Sequence, residues 1–217
     1  GPCVVALYDA AAAKGWNGAD TVFMLMESND GDLYNKVVLK STAVSFETKL
    51  QLFADLLHAL ARIADAGVVH REVTPRNLHI FGNCSEPLGC RLKVGCFGSS
   101  CTLDGGLRPC GAVRKVNPWP YVAPEVALDA PENPKRDVFG AALVFYAMVF
   151  GGLPVVDLAS IHGNWAELRK EKPGLVRILD SMLAVNVSKR CTAAEALHEL
   201  RRFAEEEGIH LVTDEED

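Results

Sequence analysis

The chain contains seven cysteines, whose thiols are its most reactive side chains. No two of them form a Cys-x-x-Cys pair, which argues against a zinc ribbon or a thioredoxin-type redox motif. Five of them lie between positions 84 and 110. In an oxidising compartment Cys84 and Cys90 would close a short loop, whereas in a reducing cytosol they would remain free thiols. The cysteines therefore leave both a cytoplasmic and a secreted location open.

The composition is that of a folded globular protein. Of its residues, 49% are hydrophobic and 23% are charged. A length of 217 residues is enough to form one large domain or two small ones. The formal net charge is −6 and the isoelectric point is near 5.5. Because nucleic-acid binding requires a basic surface, we expect no nucleic-acid partner.

One uncharged stretch, residues 138–156, is nearly long enough to cross a bilayer. Gly151, Gly152 and Pro154 end any helix near Phe150, which leaves too few helical residues for a membrane span. The sequence therefore predicts a buried helix and no transmembrane segment. The N-terminus has no basic region followed by a hydrophobic stretch, so no signal peptide is expected.

Hydrophobic periodicity places the other elements. Two apolar runs, residues 4–10 and 21–27, predict strands joined by a turn at Asn17-Gly18. Residues 46–66 have helical spacing, and residues 78–81 and 92–94 predict a small hairpin. An irregular stretch follows at residues 98–120. The remaining helices are predicted at residues 137–150, 164–170 and 175–184, and from a capping box at Thr192 and Glu195 through Phe203.

Five segments resemble the landmarks of protein kinases, in the same order and at similar spacing. They are His70-Arg71-Glu72-Val73-Thr74-Pro75-Arg76-Asn77, similar to the catalytic loop HRDxKPxN; Cys96-Phe97-Gly98, at the place of DFG; Ala123-Pro124-Glu125, matching APE; Asp137, at the place of the DxW aspartate; and Arg190, before the final helix. One such motif would be weak support, but five in order are strong. The resemblance covers essentially the whole chain.

The resemblance to the kinase small lobe is limited to its last strands. Residues 1–8 resemble the segment that enters the fourth strand, and residues 24–27 resemble the fifth strand and the hinge. No glycine-rich loop, VAIK lysine or C-helix glutamate can be assigned. The resemblance implies an α+β, mainly α fold: a kinase-like C-terminal lobe at residues 31–217, with a short remnant β-hairpin of the N-terminal lobe and hinge at residues 1–30.

The positions that carry chemistry in kinases are altered. Glu72 replaces the aspartate that accepts the substrate proton, Thr74 replaces the lysine that contacts the transferred phosphoryl group, and Cys96 replaces the DFG aspartate. Magnesium prefers hard oxygen ligands, so a thiol binds it poorly. Pro118 stands where serine/threonine kinases have a threonine before APE, and only Asn77 remains of the magnesium ligands. The resemblance thus implies no catalytic residues, no metal and no cofactor, with metal-free ATP binding left open.

The framework positions of the family are unchanged: His70, Arg71, Phe97, Gly98, Glu125, Asp137 and Arg190. The resemblance implies a buried ion pair between Glu125 and Arg190. It also implies that Asp137 accepts hydrogen bonds from the backbone near His70 and Arg71, and that His70 stacks on Phe97. Activation-loop phosphorylation is not expected, because residues 103–120 contain no serine, threonine or tyrosine.

These features favour a pseudokinase that acts as a protein-binding scaffold or an allosteric regulator. An isolated two-stranded hairpin is marginal in water. We therefore expect a protein partner or a further N-terminal segment over the apolar face of Val5, Leu7, Phe23 and Leu25. The alternative is a divergent ATP-dependent protein phosphotransferase. In that case Glu72 would be the base, Asn77 would hold one metal ion, and a missing N-lobe segment or a partner chain would supply the lysine.

Overall fold

Helices and short antiparallel sheets make up the computed structural model, which describes residues 3–16, 18–104, 121–128, 131–152 and 158–212. Among these residues, helix is more abundant than strand. The mixed α/β content predicted from the sequence is therefore confirmed.

The first two strands form an antiparallel hairpin. Strand β1 is Leu7–Lys14 and strand β2 is Asp20–Met26, and the Lys14 ammonium meets the Asp20 carboxylate at 2.6 Å near the turn. Gly18 in the turn has a positive φ of 76°, as the turn prediction requires, whereas Asn17 lies outside the described residues. Strand β1 begins later than predicted because the residues before it pair with Val94 instead. It ends later because the alanines after Asp9 continue to pair with β2.

The segment before β1 is attached to the larger body of the protein. The Val5 N–H donates to the Val94 carbonyl at 3.0 Å, and the Val94 N–H donates to the Cys3 carbonyl at 3.0 Å. Val5 is only 7% exposed. The expectation that Val5 shares the uncovered face of the hairpin is therefore wrong, because backbone pairing with residue 94 carries its side chain into the interior.

A three-stranded sheet lies against the first long helix. Strand β3 (Gly31–Asp32) pairs with β5 (Leu78–Gly82), which pairs in turn with β6 (Cys90–Val94). Strand β4 (Val68–Val69) belongs to a separate two-stranded sheet.

Helix α1 is Leu33–Lys36, a 3-10 turn follows at Val38–Lys40, and helix α2 is Phe46–Asp65. A disulfide joins Cys84 to Cys90 across the β5–β6 hairpin.

A buried carboxylate ties α2 to β6. Asp55 accepts hydrogen bonds from the Arg91 side chain and from the Leu92 N–H, the latter at 2.9 Å. Burial raises the pKa of the Asp55 carboxyl, and the bonds from Arg91 oppose that rise. Because a buried carboxylate must be paired, this contact fixes the sheet on the helix.

The second long helix forms the centre of the core. Helix α3 (Lys135–Phe150) is buried along most of its length and ends at Gly151, whose φ of 76° suits glycine. Phe145 packs on Phe53 of α2 with ring centres 4.5 Å apart. The buried helix predicted from the uncharged stretch is thus confirmed. Among the described residues, no helix is both long and apolar enough to cross a membrane.

Shorter elements complete the fold. Residues Phe97–Ser99 and Pro124–Leu128 form 3-10 turns, and β7 (Cys101–Thr102) pairs with β4. The C-terminal helices are α4 (Leu158–Asn164), α5 (Ala166–Glu171), α6 (Pro173–Met182) and α7 (Ala193–Glu206). The helix predicted at residues 164–170 is confirmed as α5, whereas α4 before it was not predicted; the fully buried Trp165 lies between the two. The capping box of Thr192 and Glu195 is confirmed.

Candidate functional site

The loop at residues 70–77 lies between β4 and β5. Its backbone is hydrogen-bonded to Asp137, which lies in the first turn of α3. The His70 N–H donates to Oδ2 of Asp137 at 2.7 Å, and the Arg71 N–H donates to Oδ1 at 2.9 Å. Burial raises the pKa of the Asp137 carboxyl, and these backbone hydrogen bonds act in the opposite direction. The contact expected from the sequence is present, and it fixes the backbone just before Glu72.

Both ring nitrogens of His70 make hydrogen bonds, one to Gly95 outside the loop and one to Glu72 within it. Nε2 lies 2.8 Å from the Gly95 carbonyl, and Nδ1 lies 3.3 Å from the Glu72 N–H. Since the carbonyl only accepts and the N–H only donates, these contacts fit the neutral tautomer with its proton on Nε2. The ring meets Phe97 edge to face, with centres 5.0 Å apart and an angle of 72°. The sequence predicted that His70 stacks on Phe97, but the structure shows an edge-to-face contact between the two rings.

The carboxylate of Glu72 is already hydrogen-bonded within the chain. The Ser99 hydroxyl donates to Oε2 of Glu72 at 2.8 Å. Ser99 reaches it because the 3-10 turn Phe97–Ser99 bends the chain back toward the loop. A role for Ser99 was not predicted from the sequence. The one feature that could have indicated it is the position of this hydroxyl, two residues after the phenylalanine of the Cys96-Phe97-Gly98 motif.

Cys96 points toward a histidine rather than toward Glu72. Its backbone is left-handed, with φ 60°, and its Sγ lies 3.7 Å from Nε2 of His79. Burial raises the pKa of the Cys96 thiol, and the charge of Glu72 raises it further. Burial lowers the pKa of His79. The thiol is therefore held mostly protonated at neutral pH. Sequence reasoning missed His79, although strand alternation places it on the face opposite Leu78 and Ile80.

The remaining predicted site positions differ in what surrounds them. The Asn77 side-chain amide donates to the Glu72 carbonyl at 2.9 Å, and its backbone N–H donates to the Thr74 carbonyl at 3.0 Å. Thr74 is half-buried. At Gly98 an added Cβ would meet nothing within 4 Å, so local packing gives no reason for a glycine there. Pro118 lies outside the described residues.

These donors do not fit magnesium. The side-chain oxygens beside the loop come from Asn77 and from Glu72, whose Oε2 is engaged by Ser99. The third position offers the sulfur of Cys96, a soft donor for an ion that requires oxygen in near-octahedral geometry. Within the described ranges, no group of three or more histidine, cysteine, aspartate or glutamate side chains converges as metal ligands would.

A buried ion pair connects the segment after the site to the C-terminal helices. Nη1 of Arg190 lies 2.7 Å from Oε1 of Glu125, and Nη2 lies 2.8 Å from Oε2. Arg190 also donates to the carbonyls of Lys135 and Ala184, and its guanidinium lies 5.0 Å from the centre of the Phe139 ring. The ion pair expected from the sequence is present and bidentate.

Comparison with known proteins identifies the family. Residues 1–200 match the protein kinase domain, so this chain belongs to the protein kinase domain family. It is 30% identical over 195 residues to the serine/threonine-protein kinase DCLK2 of Mus musculus, and 28% identical over 212 residues to the CBL-interacting serine/threonine-protein kinase 14 of Arabidopsis thaliana. It is 31% identical over 163 residues to the ovarian-specific serine/threonine-protein kinase Lok of Drosophila melanogaster.

These relatives are much longer than the matched region. The alignments cover 82%, 91% and 72% of this chain but 24%, 44% and 31% of DCLK2, kinase 14 and Lok, respectively. The chain thus spans less than half the length of each of them. All three are named as serine/threonine-protein kinases, and the family resemblance inferred from the motifs is confirmed.

Proposed function

We propose that this chain is a pseudokinase domain: a kinase fold that binds another protein and does not transfer phosphate from magnesium-ATP. The observation that carries the proposal is the pairing of Cys96 with His79 at the place of the DFG aspartate. Phosphoryl transfer depends on metal ions that neutralise the phosphate charge. A protonated thiol supplies neither the charge nor the hard oxygen that such an ion requires.

The Glu72 contact supports the same proposal. A general base must be within hydrogen-bond reach of the substrate proton that it accepts. Oε2 of Glu72 already accepts a hydrogen bond from the Ser99 hydroxyl at 2.8 Å, so an incoming hydroxyl would have to share this carboxylate with Ser99 or displace it. Thr74 also carries no positive charge with which to contact a phosphoryl group.

We propose the β1–β2 hairpin as the surface that another polypeptide covers. Phe23 is 53% exposed and Leu25 is 62% exposed, and both lie on one face; Val22 and Met24 are exposed on the other. Among the described residues, each hairpin strand pairs only with the other, which leaves two edges with unpaired backbone groups. A strand that is apolar on both faces is typical of a sheet interior. Added strands from a protein partner or from a preceding segment would satisfy these edges.

The hairpin proposal can be tested with a hydrophobic fluorescent dye and sedimentation velocity. Replacing Phe23 and Leu25 together by lysine should abolish most dye binding and any self-association, with little change in the midpoint of thermal unfolding. Val185→Lys is the matched control, because Val185 is also exposed but lies between α6 and α7. A monodisperse wild-type chain that binds no dye would refute the proposed surface.

A divergent phosphotransferase is the second candidate, and the geometry of Ser99 favours it. A carboxylate 2.8 Å from a serine hydroxyl is the arrangement that a general base and its substrate adopt. On this hypothesis Ser99 itself would accept a phosphoryl group. A cosubstrate nucleotide and a lysine from another chain would still be required.

Mass spectrometry tests whether this chain transfers phosphate without a further chain. The chain is incubated with magnesium-ATP and an added basic protein, beside the Glu72→Gln and Ser99→Ala variants. A pseudokinase gives no phosphate on Ser99 or on the added protein above the Glu72→Gln background. Phosphate on Ser99 of the wild type that disappears in Glu72→Gln would contradict the pseudokinase proposal and establish the phosphotransferase.

A further inference from the structure

Two arginines converge on one carboxylate beside the loop that carries Glu72. Nη2 of Arg71 lies 2.9 Å from Oε1 of Glu132. Nη1 of Arg136 lies 2.8 Å from the same oxygen and 2.7 Å from Oε2. The three side chains are only 10%, 8% and 9% exposed for Arg71, Arg136 and Glu132, respectively. They therefore form a largely desolvated cluster rather than a surface ion pair.

The charges of this cluster require a fixed anion. Two guanidiniums held this close together repel each other, and neither loses its charge at any ordinary pH. The neighbouring Asp137 directs its oxygens to the backbone N–H groups of His70 and Arg71. Within the part of the chain that the structure describes, Glu132 is the carboxylate whose oxygens contact both guanidiniums. Its planar shape suits such charge-assisted bonds, which are stronger than neutral ones.

The cluster also acts on the candidate site, because Arg71 directly precedes Glu72. Arg71 has a positive φ of 73°, a conformation that costs energy for a residue with a side chain. Its backbone N–H is held by Asp137, and the end of its side chain is held by Glu132. One anchor, Glu132, precedes α3, and the other, Asp137, lies in its first turn. The position of Glu72 is thus set from residues 132–137.

We propose that Glu132 is a built-in anion: its carboxylate occupies the oxyanion site formed by Arg71 and Arg136, and so holds the Glu72 loop without a bound phosphate. A tetrahedral oxyanion, such as phosphate or a phosphorylated side chain, is the ligand class that this site would take if Glu132 were absent. The absence of serine, threonine and tyrosine from residues 103–120 is consistent with a site that needs no phosphorylated residue from that stretch. The inference is independent of whether the chain transfers phosphate.

Anion rescue tests the proposal. Thermal unfolding is measured for the wild type, Glu132→Ala and Glu132→Gln in sodium chloride and in inorganic phosphate at equal ionic strength. Glu167→Ala is the control, because Glu167 is an exposed partner of Lys170. We expect Glu132→Ala to lose about 5–15 °C in chloride and to regain at least half of that loss in phosphate. The wild type and Glu167→Ala should have the same midpoint in both salts.

Amide hydrogen exchange supplies a readout that loss of packing alone would not reproduce. In Glu132→Ala the amides of residues 70–74 should exchange faster in chloride and slow again in phosphate. If Glu132→Ala does not fold, Glu132→Ser, which also removes the carboxylate and leaves space for phosphate, carries the test. Glu132→Gln keeps the side-chain volume in the site, so phosphate should not restore its midpoint. An unchanged midpoint of Glu132→Ala in chloride, a lack of phosphate rescue in the alanine or serine variant that folds, or phosphate-specific stabilisation of the wild type would each overturn the proposal.

Discussion

Arg190 and Glu125 form a bidentate ion pair at 2.7 and 2.8 Å, although 65 residues separate them in the sequence. Arg190 is 1% exposed and Glu125 is 8% exposed. The pair joins the 3-10 turn Pro124–Leu128, which follows the candidate site, to the chain just before α7. Because both side chains are buried, each charge is compensated by the opposite charge of the other.

Removing either member of this pair should destabilise the protein strongly. We expect Arg190→Ala and Glu125→Ala each to lower the free energy of unfolding by about 3–5 kcal/mol, since the remaining charge stays buried. Urea denaturation at neutral pH measures this loss. Lys170→Ala, which breaks an exposed pair with Glu167, should change it by less than about 0.5 kcal/mol. Losses for the buried pair as small as that control would show that the fold does not depend on it.

Two glycines should differ sharply in their tolerance of alanine. Gly82 ends β5 with φ 96°, and an added Cβ would lie 2.3 Å from the Gly89 carbonyl oxygen. Gly98 has open space around it. We expect Gly82→Ala to cost about 2 kcal/mol and Gly98→Ala to cost less than about 0.5 kcal/mol, both measured by urea denaturation. Equal losses at the two positions would contradict this description of the loops.

Periodicity and end signals sufficed to predict the long elements of this fold. The apolar spacing of α2, the glycine after α3 and the capping box of α7 each act within a few residues, so their effect can be predicted locally. The pairing of Cys3 and Val5 with residue 94 could not be predicted, because it joins segments about 90 residues apart through backbone atoms alone. Helix α4 was missed for a similar reason, since tertiary burial fixes its Ile161 and the adjoining Trp165.

The contacts of the candidate site could be predicted for those residues that occupy positions of the kinase motifs. Asp137, Glu125 and Arg190 occupy motif positions, and their contacts follow from the family resemblance. Ser99, His79 and Glu132 have no motif that marks them, and each acts through a side chain that only the folded chain brings to the loop. Their roles depend on distances of about three to four ångströms that no sequence pattern encodes.

The thiol of Cys96, although exposed, should react more slowly than a thiol of ordinary pKa. Burial and the nearby charge of Glu72 raise its pKa above the usual 9.0, so less thiolate is present at any pH below that value. Alkylation by iodoacetamide, followed residue by residue with mass spectrometry, should give a rate-against-pH curve with its midpoint above 9.0.

Glu72→Gln serves as the matched variant for that curve. Removing the carboxylate charge should move the midpoint for Cys96 toward lower pH, while Cys191, on which Ser181 and Glu195 act rather than Glu72, should keep its own midpoint. A wild-type midpoint at or below the ordinary value would show that the pKa of the Cys96 thiol is not raised. An unchanged midpoint in Glu72→Gln would show that the two side chains do not interact.

The most direct test of the pseudokinase proposal is thermal unfolding of the chain with and without millimolar ATP, each in magnesium and in EDTA. The donors beside the loop are an amide, an engaged carboxylate and a thiol, so we predict no magnesium-dependent rise in the unfolding midpoint. A rise that is equal in magnesium and EDTA would indicate metal-free nucleotide binding and would be compatible with the proposal. A rise that requires magnesium would contradict it, because Asn77 and a second ligand would then hold the metal with the nucleotide.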